Sequence, residues 1–118
     1  MDRLEEVFAE RERANRIAEI GEDAWWAEIQ QLLSDVRGRL GRERGKRFSS
    51  RGWFAVGYRR SQVDAFLDRV AAMLAGNGAL TTAEVRGVVF HAQWRGYDED
   101  QVDALLDAIV DLMIATAR

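Results

Sequence analysis

A stretch of fourteen residues in this chain returns, partly changed, 39 positions on. Gly57-Tyr58-Arg59-Arg60-Ser61-Gln62-Val63-Asp64-Ala65-Phe66-Leu67-Asp68-Arg69-Val70 returns as Gly96-Tyr97-Asp98-Glu99-Asp100-Gln101-Val102-Asp103-Ala104-Leu105-Leu106-Asp107-Ala108-Ile109. Eight of the 14 pairs are identical, where unrelated segments would share about one. Each copy is a Gly-Tyr turn feeding a helix with one apolar face: Val63, Phe66, Leu67 and Val70 in the first, Val102, Leu105, Leu106, Ile109 and Met113 in the second. A helix with a single greasy stripe must cover it. The repeat therefore predicts two faces that pair, either within one chain or between two copies in a homodimer.

The rest of the chain predicts more helix. Pro 0 in 118 residues removes the commonest helix breaker, and an apolar share of 47% suits one shared core rather than disorder. A loose apolar pattern runs from Asp2 to about Ile20. After Gly21 the stripe Trp25, Trp26, Ile29, Leu32, Leu33, Val36 and Leu40 recurs at steps of three and four. Further helices are expected over about 60–75, ended by Gly76-Asn77-Gly78, from Thr81 or Thr82, and over about 98–116. Thr81 with Glu84, and Asp98 with Gln101, have the spacing of capping boxes. No segment alternates with period two long enough to argue a strand. The expected fold is all-α, four or five helices in a bundle or coiled-coil dimer. It divides into an N-terminal helical segment 1–40, a first unit with a basic loop 41–76 and a second unit 77–118.

Charge is unevenly spread. The net charge is -3, yet residues 37–60 hold nine of the 17 Lys and Arg against one acid, Glu43, interleaved with Phe48, Trp53, Phe54 and Tyr58. Such a segment suits polyanions, so one reading is a nucleic-acid-binding helical module. Enzyme chemistry has little to use. His91 is the sole imidazole, Cys is absent, and Ser49, Ser50 and Ser61 lack a nucleophile-elbow context. Gly41-Arg42-Glu43-Arg44-Gly45-Lys46-Arg47 misses the spacing and the hydroxyl of a phosphate-binding loop. Asp64 and Asp68, like Asp103, Asp107 and Asp111, form lines at i, i+4 without a His or Glu to complete a metal site, and solvent or Arg partners explain them better. No catalytic residue, metal or cofactor is expected. With no signal-peptide order at Met1-Asp2-Arg3-Leu4 and no apolar run of bilayer length, the expected location is the cytoplasm.

The second unit resembles the DivIVA domain along its whole length: Leu80-Thr81-Thr82-Ala83-Glu84-Val85-Arg86, Phe90, then Trp94-Arg95-Gly96-Tyr97-Asp98-Glu99-Asp100-Gln101-Val102-Asp103-Ala104-Leu105-Leu106-Asp107. The first unit keeps Phe48, Gly57-Tyr58 and Val63-Asp64-Ala65-Phe66-Leu67-Asp68. It lacks the Leu-Thr opening, stretches the Phe-to-Gly spacing from six to nine, and has Arg59 at the acidic cap. The resemblance implies a non-enzymatic scaffold or adaptor of bacterial division or polar growth, binding partner helices and, peripherally, the anionic inner face of the membrane. It implies that Trp94-Arg95 touches lipid, and the basic loop Arg51-Gly52-Trp53-Phe54 offers a second contact of the same kind.

Overall fold

The structure, a computed structural model, describes residues 3–116. Helices follow the apolar periodicity: α1 (Arg3–Ile20), α2 (Glu22–Leu40), α3 (Arg60–Leu74), α4 (Thr82–Gly87) and α5 (Glu99–Thr116). One residue, Gly21, separates α1 from α2. Its φ of 84° and ψ of 156° lie where a side chain is strained, so the turn needs glycine. At Thr81 the capping box is complete, with Oγ1 accepting from the Glu84 amide and the Glu84 carboxylate accepting from the Thr81 amide. At Asp98 it is not. The Asp98 carboxylate accepts from the Asp100 amide, and Gln101 reaches across the molecule to Ser49 instead.

The expectation of a purely helical chain needs correction. Val56–Tyr58 (β1) and Ala92–Trp94 (β2) pair antiparallel, with Val56 opposite Trp94, Gly57 opposite Gln93 and Tyr58 opposite Ala92. Three residues are too few for an alternating pattern to register, and their partner lies more than 30 positions away, so local sequence carries no trace of them. The fold is mostly α with one small two-stranded sheet.

One apolar cluster collects the stripes of both units. Val63, Phe66, Leu67 and Val70 meet Val102, Leu105 and Ile109 there, joined by Val36 from α2, Phe48, Leu80 and Val85, with Leu106 and Met113 half-buried at its edge. α5 lies closest to α1, α2 and α4, and α3 closest to α2, so the two repeat helices share a core rather than forming a close-packed pair of their own. A second, smaller cluster of Trp25, Ile29 and Leu112 sits under α1, with Ile17 packed on it. Trp26, counted in the apolar stripe of α2, instead stands half-exposed with its ring edge-on to Trp25.

Candidate interaction surface

The two Gly-Tyr turns lie against each other. Tyr58 donates its amide to the Tyr97 carbonyl at 3.0 Å, and Tyr97 returns the bond to the Tyr58 carbonyl at 2.9 Å. A methyl group on Gly57 would sit 2.2 Å from the Tyr97 oxygen, and one on Gly96 would sit 2.3 Å from the Tyr58 oxygen. The repeated glycine thus serves backbone approach: neither Gly57 nor Gly96 has a positive φ.

Side chains repeat the exchange. The Tyr97 hydroxyl donates to Asp64 at 2.8 Å and the Tyr58 hydroxyl to Asp103 at 2.9 Å, so each unit's tyrosine is satisfied by the other unit's aspartate. Gln101 accepts from the Ser49 amide and donates to its hydroxyl. Gln62 accepts from the His91 amide and meets the His91 Nδ1 at 2.7 Å. Phe48 packs edge-on to Tyr97 at 5.1 Å, and Phe90 packs on Tyr58 at 5.3 Å. Burial, together with the bond to Asp103, pushes the Tyr58 phenol up to about 12, and burial and Asp64 raise Tyr97 as well. His91, the sole imidazole, is a structural partner of Gln62.

This crossing brings the two proposed lipid-contact loops together. Arg95 donates its amide to the Ala55 carbonyl at 2.9 Å, its guanidinium lies 3.9 Å over the Trp53 ring, and Phe54 and Trp94 stand 6.2 Å apart. The rings face solvent: Trp53 is 66% exposed, Phe54 78% and Trp94 55%. Val56 adds a half-exposed apolar side chain beside them. Arg95 is the one described non-glycine residue with a positive φ, 56°, a conformation costing about 1–2 kcal/mol that the surroundings must sustain. Arg51 is turned away from this patch. It pairs with Asp100 at 2.8 Å and Asp98 at 3.7 Å, closing the first turn of α5.

Much of the basic segment is likewise spent inside the protein. Arg47 is buried against α3, bonded to the Asp64 carbonyl and to Asp68 at 3.0 Å, with Asp64 Oδ1 3.7 Å away. Arg44 pairs with the outer oxygen of Asp68 at 2.8 Å. The carboxylate line Asp64–Asp68 is therefore neutralised by two arginines, and no group of His, Cys, Asp or Glu suited to a metal occurs among the described residues. Arg39, Arg42, Lys46 and Arg60 gather instead around one open pocket of about 550 Å³, beside Ser49 and Gln101. Burial and the neighbouring Arg42 lower the pKa of Arg39.

Neither a family model, nor a curated protein, nor a solved structure matches the chain. Among the described residues no helix is long and apolar enough to cross a membrane.

The paired residues were visible in the sequence as a repeat. Their reciprocity was not, since spacing records what recurs and not which copy answers which. The basic pocket was hidden for a different reason: three of its four cations are arginines, indistinguishable in sequence from Arg44, Arg47 and Arg51, which make internal ion pairs.

Proposed function

We propose that the protein is a non-enzymatic scaffold or adaptor module of the DivIVA type, acting in bacterial cell division or polar growth. It docks partner proteins through its helical faces and rests on the anionic inner face of the membrane through its aromatic patch. The resemblance of residues 80–107 supports the family reading, and one structural observation supports the surface: Trp53 and Phe54 from the first unit and Trp94 and Arg95 from the second form a single exposed cluster. Three rings placed together can enter the headgroup layer side by side, where indole and phenyl groups prefer to lie. The Arg95 guanidinium, held over Trp53, adds about 1 kcal/mol near an anionic surface. Joining the loops lets two weak contacts act as one attachment, by effective concentration.

Sedimentation with vesicles of phosphatidylcholine and phosphatidylglycerol tests the membrane role. The parent protein should pellet and the Trp94→Ala, Arg95→Ala variant should stay in solution. Equal pelleting of both would overturn the reading.

The competing reading, nucleic-acid binding through residues 37–60, draws on the same charge. Burial of Arg47 and the ion pairs of Arg44 and Arg51 interrupt the stripe that duplex binding uses. Of the six cations left, four (Arg39, Arg42, Lys46 and Arg60) gather around one pocket, better matched to a single phosphate, while Arg37 and Arg59 stand apart from it.

A further inference from the structure

The basic pocket stands out for its lack of acids. Arg39, Arg42, Lys46 and Arg60 line it, and no carboxylate does. Of these four cations, only Lys46 has an ion-pair partner among the described residues, the exposed Glu43 at 3.4 Å. Arg39 and Arg42 both donate to one oxygen, the Arg47 carbonyl, at 3.0 and 3.3 Å, so two like charges crowd a single neutral acceptor. Such crowding is unfavourable unless something negative relieves it.

The guanidinium groups are also held in place. Arg39 lies 5.0 Å over the Phe48 ring and Arg60 lies 4.9 Å over the Tyr97 ring, and those two rings pack against each other. Arg60 is fixed further by bonds to the carbonyls of Arg95 and Gly45. Arginine has five N–H donors. Arg39 and Arg42 each use one in the bonds described, and Arg60 two, so each keeps donors for a ligand. The Ser49 hydroxyl and the Gln101 amide lie at the same rim.

We propose that this pocket binds a phosphomonoester. That group carries close to two negative charges at neutral pH and three acceptor oxygens, which matches several donors and no carboxylate in the lining. A lipid headgroup with a terminal phosphate is the favoured source, because Arg60 joins the pocket to the aromatic patch through the Arg95 carbonyl. That choice of source rests on the membrane reading proposed above; the pocket itself does not.

Titration with glycerol 3-phosphate, followed by amide shifts, tests the pocket without a membrane. Saturable shifts at Arg42, Lys46, Ser49 and Arg60 are expected, and Arg42→Gln with Lys46→Gln should weaken binding about tenfold or more. Both side chains are exposed, so the fold should survive, and Trp94→Ala with Arg95→Ala should leave this binding intact. A second arm compares vesicles carrying phosphatidic acid with vesicles of equal charge carrying phosphatidylglycerol. Preference for phosphatidic acid, lost in the Arg42→Gln, Lys46→Gln variant, assigns the headgroup. Glycerol 3-phosphate binding without that preference assigns a free phosphate ester to the same pocket. Absence of saturable shifts, shifts unchanged by the variant, or binding confined to DNA or RNA would overturn the proposal, whatever becomes of the aromatic patch.

Discussion

The two tyrosine–aspartate bonds are copies of one another, yet they sit in different surroundings. Tyr97 is fully buried and Asp64 is 3% exposed, whereas Tyr58 is half-buried and Asp103 is exposed. Arg47 makes the difference. It precedes Phe48 and folds inward onto Asp64 and Asp68; the residue preceding Phe90 is Val89, 85% exposed, and no arginine enters the second unit at that point. Duplication supplied the same hydrogen bond twice, and divergence made one copy part of the core and left the other at the rim. Bonds of nearly equal length then differ in what they contribute, because a broken buried bond strands its partner and an exposed one is replaced by water.

The glycine pair offers the most severe way to break that equivalence. In Gly57→Ala or Gly96→Ala a methyl group meets a carbonyl oxygen across the crossing, where backbone cannot move aside as a side chain could. The overpacking costs about 3 kcal/mol, and each paired amide–carbonyl bond lost adds about 1 kcal/mol. Chemical denaturation should find either variant destabilised by about 4 kcal/mol or more, or unfolded. Because these contacts are backbone on both sides, the two variants should suffer alike. A mild effect in either would mean that the turns can separate without loss of the fold.

The aspartates should behave differently. Asp64→Ala removes the acceptor of the Tyr97 hydroxyl and of the Gly45 amide, and half the charge facing buried Arg47. Breaking a buried pair of this kind costs about 3 kcal/mol. Asp103→Ala leaves only the half-buried Tyr58 hydroxyl in want of a partner and should cost less than about 1 kcal/mol. Equal losses in the two variants would dissolve the distinction between core copy and rim copy.

How far this was readable beforehand varies by element. The stripes Val63–Val70 and Val102–Ile109 announce their helices and their burial, because three- and four-residue spacing is a local signal that packing reinforces. Thr81 and Glu84 announce a cap for the same reason. Gly57 and Gly96 announce that something is needed there, but a repeated glycine is equally compatible with a positive φ and with close approach, and only the neighbouring strand decides. Trp53, Phe54, Trp94 and Arg95 are conspicuous as residues; their meeting depends on the crossing of loops about 40 positions apart. Arg51 shows the converse. It reads as part of a basic aromatic loop, and it is taken by Asp98 and Asp100 because the first turn of α5 concentrates acid beside it.

The smallest effect is the titration of the tyrosines, and it sharpens the comparison most directly because the chain has only two. Tyr58→Phe leaves Tyr97 as the sole phenol, and Tyr97→Phe leaves Tyr58, so tyrosinate absorbance reports each alone. Both should ionise above the ordinary phenol value near 10, Tyr58 at about 12, because burial and an aspartate acceptor favour the neutral hydroxyl in the folded protein. The sign of the linkage follows. A raised phenol stabilises the fold fully below the unfolded value of about 10, and that contribution is lost as pH rises through about 12. Stability should therefore be level across neutral pH and fall above about pH 10, less steeply in either single variant than in the parent. Ionisation of Tyr58 at an unshifted value would place its hydroxyl in solvent, away from Asp103, and the reciprocal exchange would reduce to the Tyr97 half.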